Sequence, residues 1–443
     1  MMSSRAKRGR RTPGALATRV ISLLAFASAA SVRALAAQQT IPVVGVTAPS
    51  AKTTMTLGAV LGVRELPGGR LLVNDARRRQ ILVFDGTLAS ASVAQDSTPG
   101  TSNSYFPRPG EIVPYLGDST LFTEIVSRDV LILDRDGRVV RALSVPQYME
   151  NGFVADGLAA FPMPFPPPRA VDNRGRLLAL AGTNIRRGKM ADSTLVVRAD
   201  LDSRQTDVVG AVFHRDGAYN RQDPPQDGKR VVTTVMQPVP TVDAWTVLSD
   251  GTIAFVRGQD YHVDWVLPDG SKTATAKLPF DWKRLTDADK QHLVDSARVV
   301  SDSLMRIRNA RANTPASEPS SDGQPGRGRG GGGAAAPGQQ GSIQRIEYVP
   351  VSQIPDYYPP ITENAAMADL DGNLWILPTT SAQSQHGELV YDVVNPKQGL
   401  FRRVRMPLGR SVAGFGKGGI VYLQFGDRTK GFHLERVKLD AGQ

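Results

Sequence analysis

Between Leu66 and Gly86 the chain reads LPGGRLLVNDARRRQILVFDG. A Pro-Gly-Gly turn opens it. Gly69 to Asp75 then runs apolar and ends on a polar pair, and a charged turn follows from Ala76 to Arg79. Gln80 to Asp85 alternates, with Ile81 and Val83 on one face, before Asp85-Gly86 turns the chain again. Two short strands bounded by turn residues predict a hairpin. The pattern returns 49 residues later without a gap, in DSTLFTEIVSRDVLILD from Asp118 to Asp134. Leu121 falls on Leu72, Glu124 on Asp75, Arg128 on Arg79, and Val130 and Ile132 on Ile81 and Val83. A period of this length marks an array of supersecondary units.

Gly69, Leu71, Val73, Asp75, Ile81, Val83, Phe84 and Asp85 match the pattern G-x-L-x-V-x-D-x-x-x-x-R-h-x-V-F-D, with Gln80 where the pattern has Arg and Arg79 one place before it. The unit therefore resembles an NHL-type propeller repeat, well in the first copy, fairly in the second and loosely beyond. The resemblance implies a fold rather than an activity, since that family holds ligand platforms, protein-binding modules and a few enzymes. The expected fold class is all-β: a six-bladed β-propeller of four-stranded antiparallel blades.

Six units are legible. Inner strands are expected at Val60 to Leu66, Glu111 to Leu116, Arg169 to Asp172, Val242 to Leu248, Asn364 to Leu370 and Ser411 to Phe415. Each runs into a tight turn and a second strand: Arg70–Val73, Thr120–Thr123, Leu177–Leu180, Thr252–Val256, Asn373–Leu377 and Ile420–Gln424. Third strands follow at Gln80–Phe84, Val130–Leu133, Thr194–Arg198, His262–Val266, Glu388–Val393 and Gly431–Val437. Fourth strands are weakly marked, as half-solvated outer strands are. The sixth unit runs out of chain after three strands. An N-terminal strand from Thr40 to Gly58, carrying the extended segments Ile41–Val46 and Thr53–Leu57, is expected to close the ring and cover the open edge.

Successive antiparallel strands alternate direction, so first-to-second and third-to-fourth turns share one face of the disc. These turns are short. The long connections fall on the other face: Ala94–Pro109, Ser144–Pro168, Gly182–Ser193, Gly210–Thr241, Lys277–Glu363 and Pro378–Gly387. One face is bare and the other built up, and loops on a rigid scaffold are where function concentrates. The largest insertion, between blades four and five, is helical and then disordered. Thr286-x-x-Asp289 resembles a capping box. Leu293, Ala297, Val300, Leu304 and Ile307 lie on one helical stripe, with Lys290, Arg298, Asp302 and Arg306 off it. The helical part is expected over 285–311 and a Gly/Pro-rich disordered segment over 312–342. A coil of about 30 residues spans roughly 30 Å, enough to return to the next blade.

Charge and composition alter the picture mainly at the N-terminus. Arg5, Lys7, Arg8, Arg10 and Arg11 precede a 13-residue apolar run, Val20 to Val32, and Ala34-Leu35-Ala36 offers a small-residue cleavage site. Residues 1–36 read as a secretory signal peptide and 37–443 as the propeller. The formal charge is +11, but the leader holds seven Arg/Lys and no acid, leaving +4. The high pI is thus weak support for nucleic-acid binding, and no nucleic-acid partner is expected. There are no cysteines, hence no disulfides and no lipobox anchor. No membrane span is expected. The mature chain is expected to be periplasmic or extracellular, soluble and monomeric.

Catalytic signatures are missing. His214, His262, His292, His386 and His433 are scattered without zinc-ligand spacing. Asp134-Arg135-Asp136-Gly137, Asp369-Leu370-Asp371-Gly372 and Ser249-Asp250-Gly251 look like calcium loops but lack the distant Glu and stand where hairpins must turn. There is no G-x-S-x-G. No catalytic residue, metal ligand or cofactor is assigned; a divalent cation in the channel, as in propellers of the gluconolactonase type, stays open. The recurring Asp75/Arg79 and Glu124/Arg128 pairs read as turn pins. Tyr105, Phe106, Tyr148, Phe153, Phe161, Phe165, Tyr357 and Tyr358 fall on the built-up side, interleaved with proline. Candidate binding residues at the channel mouth and on this face are Arg108, Glu111, Arg169, Asp243, Tyr357, Tyr358 and Glu363. The expected function is recognition of a protein, peptide or glycan on the insert-rich face; the alternative is a metal-dependent hydrolase or lyase using the channel.

The leader reading predicts that exported protein begins at or near Ala37. N-terminal sequencing of secreted material that returns an intact Met1 refutes it.

Overall fold

The apolar runs that open each repeat become strands buried on both faces. Leu71–Asp75 and Thr120–Thr123 are buried at every position, as are Ile253 to Val256 and Leu374–Ile376. A strand packed between two neighbouring sheets has no solvent side, so it carries a run of apolar residues rather than an alternation. The computed structural model describes residues 41–97, 105, 110–123, 130–154, 157–181, 185–186, 189–190, 192–215, 219–226, 229–312, 343–382 and 387–440. Those from Val43 onward belong to one compact unit.

That unit is a six-bladed β-propeller. Blade one is Val60–Glu65, Leu71–Asp75, Gln80–Phe84 and Ala91–Gln95; blade two is Glu111–Pro114, Thr120–Thr123, Val130–Leu133 and Val139–Ala142. Blade three is Ala170–Val171, Leu177–Leu180, Ser193–Ala199 and Thr206–Arg215, extended by Thr241–Val242. Blade four is Ala244–Val247, Ile253–Arg257, His262–Val266 and Lys272–Ala274. Blade five is Ala366–Ala368, Leu374–Ile376, Val390–Asn395 and Gly399–Arg405, and blade six Arg410–Phe415, Ile420–Asp427 and Gly431–Lys438. The outer strands of blades two and four are exposed throughout, which explains their faint sequence signal.

The fourth strand of blade six comes from the N-terminal side, as expected. Ala51–Lys52 pairs antiparallel with Arg436 and Glu435. Single bridges join Val46 to Leu439 and Leu57 to Phe432. The amides of Thr47, Ser50, Thr53 and Leu57 donate to carbonyls along the third strand, from Lys438 down to Phe432. Both expected segments, Ile41–Val46 and Thr53–Leu57, reach the third strand, through Val46 and through Thr53 and Leu57, and the two-residue strand Ala51–Lys52 lies between them. Val43–Val44 does something the pattern did not announce. It pairs in parallel with Arg403 and Val404, adding a fifth strand to blade five.

Apolar side chains fill each gap between blades. Leu57, Leu71, Phe84, Tyr422 and Leu434 join blades six and one; Leu72, Ile81, Phe122 and Leu133 join one and two. Comparable clusters join the remaining pairs. On the bare face the turns are tied across the same gaps. Arg70 pairs with Asp136 at 2.8 Å, Arg64 donates to the Gly117 carbonyl at 2.9 Å, and Arg436 donates to the Gly86 carbonyl at 2.7 Å. The Asp371 carboxylate accepts from the amides of Gly418 and Gly419.

The acidic turn motifs are turns. Asp134, Asp172 and Asp369 each accept two amides from two and four residues further on. Gly372, at φ 84°, supplies the left-handed residue such a turn needs. Asp75 differs from its expected role. Its ion pair is with Arg78, at 3.8 Å, not with Arg79, which occupies positive φ at 56°. Its buried carboxylate also accepts the amides of Gly58, Ala59 and Arg78, so it pins the N-terminal lead onto blade one. Glu124 and Arg128 lie outside the described residues.

The insertions lie on the predicted face. Gln147–Val154 and Gly157–Pro164 form a hairpin between blades two and three. Tyr219–Gln226 and Lys229–Met236 form another, joined in parallel by Ile343–Tyr348. Helix α1, Asp287–Ala312, starts at the expected capping box: Thr286 Oγ1 accepts the Asp289 amide, and Asp289 accepts the Thr286 amide. Val294 packs with Val235, Val239, Leu285, Val349 and Ile354 in a small separate core. The buried stripe is rotated from the expected one. Val300 is 59% exposed, while Lys290 is 4% exposed and reaches Asp356 at 2.7 Å. The Gly/Pro-rich segment from 313 to 342 and residues 1–40 lie outside the described residues.

Ring closure predicts that deleting residues 43–57 lowers the melting temperature far more than removing an equally long surface tail. Amides from Leu434 to Val437 lose hydrogen-exchange protection in the truncated chain. An unchanged melting temperature with those amides still protected overturns the closure.

Candidate functional site

Because blades are antiparallel and connections between them run on the built-up face, every inner strand starts there, beside the channel. Glu111, Arg169, Asp243 and Glu363 hold comparable starting positions in blades two to five. The structure brings all four together around one cleft of 240 Å³, with His214, Trp245, Thr246 and Asn364 completing the wall. Arg169 and Glu363 are exposed, and Glu111 is half-buried. None of the three is engaged by an ion pair or side-chain hydrogen bond among the described residues.

Asp243 has a different environment. One carboxylate oxygen accepts the Gly258 amide at 3.0 Å. The other accepts the Phe213 amide at 3.1 Å and Arg257 Nη1 at 2.6 Å. It supports the wall and has no free oxygen to offer a ligand. Arg257 continues to Asp264 at 2.7 Å and to the Ala211 carbonyl at 2.9 Å. Burial pulls its guanidinium pKa down, but the hydrogen bonds to Asp243 and Asp264 outweigh that and hold it above its ordinary value. Beyond this pair lies a second cleft, of 660 Å³, reached by Gln259, Asp260, His262 and Lys277. There His262 Nδ1 meets Asp260 at 2.6 Å and Nε2 meets Asp264 at 3.1 Å.

Tyr357 and Tyr358 lie elsewhere, on the segment that packs against α1. Tyr357 is 47% exposed and meets Trp282, 41% exposed, edge-on at 6.4 Å. That pair continues inward through Phe280 to buried Tyr261, whose hydroxyl donates to Asp392 at 2.6 Å. Tyr358 packs on the small core and donates its amide to the Lys283 carbonyl. Of the other aromatics singled out, Tyr105, Tyr148 and Phe165 are buried core residues. Burial pushes the Tyr105 hydroxyl up to about 12 while it donates to Asn74 at 2.7 Å. Arg108 and Phe106 lie outside the described residues.

His214, Trp245, Asn364, Trp282 and Arg257 are not among the site residues expected from the sequence. Trp245 had a usable signal: it stands two residues after Asp243, hence on the same side of an inner strand. His214 and Arg257 reach the site from outer and second strands of neighbouring blades, which no local pattern encodes. Two carboxylates unpaired among the described residues, a guanidinium and an indole give this cleft groups able to meet both signs of charge. Among the described residues no group of three or more His, Cys, Asp or Glu side chains could share a metal ion.

No family model matches the chain, and no curated protein matches it. Solved structures similar to it include a virginiamycin B lyase from Staphylococcus aureus, at 9% identity and TM-score 0.38 over 88% of this chain and 99% of that one. A gluconolactonase from Xanthomonas campestris shows 11% identity and TM-score 0.37, covering 87% of each chain. A luciferin-regenerating enzyme shows 10% identity and TM-score 0.36, over 87% of this chain and 92% of that one. These likenesses are loose, and the propeller assignment rests on the sheet topology above.

Besides its backbone bridge to Arg284, the tyrosine segment is held by a side-chain clamp. The Lys290 hydrogen bond and charge hold Asp356 below its ordinary carboxylate value. A carboxylate depressed in the fold stabilises above its unfolded pKa of about 3.9 and stops doing so as pH falls through the folded value. Amides of Ile354 and Tyr358 should therefore lose exchange protection, corrected for intrinsic rates, as pH is lowered below about 4. In Asp356→Ala their protection should already be low at neutral pH and show no acid step. Equal profiles in the two proteins contradict the clamp.

Proposed function

We propose that this chain is an exported propeller that acts as a binding module, recognising a peptide or protein segment through the mouth of its channel. The observation that carries this reading is the convergence of Glu111, Arg169 and Glu363, unpaired among the described residues, on one cleft beside Trp245. Structural charges normally find partners within the fold, as Asp243 does with Arg257. Side chains of both signs left unpartnered at a concave mouth are placed to meet charges brought by a ligand. A peptide carries both signs at short spacing: Arg169 can hold a carboxylate in a fork, and Glu111 and Glu363 can accept from ammonium or guanidinium groups. Trp245 offers an apolar ring and an N–H donor in the same wall.

Isothermal titration against a panel of short peptides tests this directly. Arg169→Ala should weaken binding of peptides with an acidic residue, and Glu111→Gln/Glu363→Gln that of peptides with a basic one. Each change should cost about tenfold or more, the worth of one charge-assisted hydrogen bond. Affinities unmoved by either variant sink the proposal. The competing reading, a metal-dependent hydrolase or lyase, calls for a stoichiometric divalent ion in purified protein whose removal abolishes turnover; elemental analysis separates the two.

A further inference from the structure

The built-up face carries a second charged feature, on blades one and six, whereas the mouth residues belong to blades two to five. The second-to-third loop of blade one is Ala76 to Arg79, and that of blade six is Arg428 to Lys430. The two loops touch: Arg77 Nη1 donates to the Arg428 carbonyl at 2.8 Å. Both are fixed from within. Asp75 accepts the Arg78 amide, and Arg78 in turn donates to the Thr56 carbonyl at 2.6 Å. Asp427 accepts the amides of Thr429 and Lys430. Those amides hold its carboxyl below the ordinary range. The nearby carboxylates are thus taken up by loop backbone. Arg77, Arg428 and Lys430 are exposed; Arg77 and Arg428 have no ion pair among the described residues, and Lys430 has only the charge of Asp427 nearby.

Two touching loops that both carry exposed cations gather positive charge on one stretch of surface, and such a stretch attracts anions. We propose that these loops form a docking surface for an anionic polysaccharide. The loops contain no aliphatic side chain larger than Ala76 and no aromatic ring. A folded protein partner would need an apolar centre. Single-stranded nucleic acid would use stacking platforms. Cations spread over two exposed loops suit a flexible chain with repeated sulfate or carboxylate groups, each able to meet a guanidinium fork. This surface shares no residue with the channel-mouth cleft, so either can fail without the other.

The test uses the full chain and fluorescein-labelled heparin, read by anisotropy at fixed low salt. One variant is Arg77→Ala/Arg428→Ala/Lys430→Ala. The control removes equal charge from bare-face turns, Arg135→Ala/Arg174→Ala/Lys417→Ala. The N-terminal cations are present alike in all three proteins. The loop variant is expected to bind about tenfold or more weakly, with the control close to the parent. In the parent, unlabelled heparin should compete, whereas duplex DNA at equal charge concentration and inorganic sulfate at equal ionic strength should not. Equal loss in both variants, no loss in the loop variant, or competition by duplex DNA as strong as by heparin overturns the proposal. Unchanged melting temperatures of both variants show that the loss is one of contact rather than of fold.

Discussion

The structure depends on one constraint: strands that are apolar on both faces must have a neighbour on each side. Leu71–Asp75 in blade one and Leu374–Ile376 in blade five have no solvent face to give up. Neither could stand at the end of a row of sheets. Closing the row into a ring is the solution that gives every blade two neighbours. The last gap, between blades six and one, holds Leu57, Leu71, Phe84, Tyr422 and Leu434. Leaving one large apolar side chain exposed there would cost about 1.5–3 kcal/mol. The N-terminal lead answers this demand twice, pairing its backbone with Gly431–Lys438 and inserting Leu57 into the core. Asp75 then fastens the lead by its amides at Gly58 and Ala59. Closure, packing and a buried carboxylate are parts of one arrangement.

The same ring divides polar groups between its faces. On the bare face, turn carboxylates are taken up within the fold: Asp369 accepts the amides of Asp371 and Asn373 and the side-chain N–H groups of Asn373 and Trp375, the indole at 2.9 Å. Arginines there reach across to the next blade's turn carbonyls or carboxylates. Short connections leave little room for anything else. The built-up face has room, and there Glu111, Arg169 and Glu363 have no ion pair among the described residues, while Lys290 and Arg257 are paired.

What could be read from the chain follows from burial. Second and third strands are buried, so their apolar runs and Asp-Gly turns stand out, and the missing strand of blade six could be inferred by counting. Val139–Ala142 is wholly exposed and carries no such mark. The parallel pairing of Val43–Val44 with blade five depends on where the lead passes, not on its own two residues. Side-chain partners were harder still. Asp75 turned to Arg78 because Arg79 adopts positive φ and leaves the expected geometry. Lys290 looked like a solvent residue on a helical wheel. It is buried because Asp356, 66 positions along the chain, comes to meet it. Four of the candidate mouth residues did converge, since equivalent positions in repeats are carried to one place by the symmetry of the ring.

Asp243 and Glu363 show what that symmetry leaves undecided. Both are acids at the start of inner strands in adjacent blades, and both line the same cleft. Asp243, on the shorter side chain, lies within reach of two backbone amides and the guanidinium of Arg257, and its charge is neutralised inside the fold. Glu363 is exposed at the end of the long insertion, with no such donors in place. A buried carboxylate without partners would cost several kcal/mol, so the first arrangement is imposed by burial. An exposed one is hydrated and costs the fold almost nothing, so burial does not dictate the second. Repeat position brings an acid to the channel. The neighbouring loop decides whether that acid serves the scaffold or remains available to a ligand.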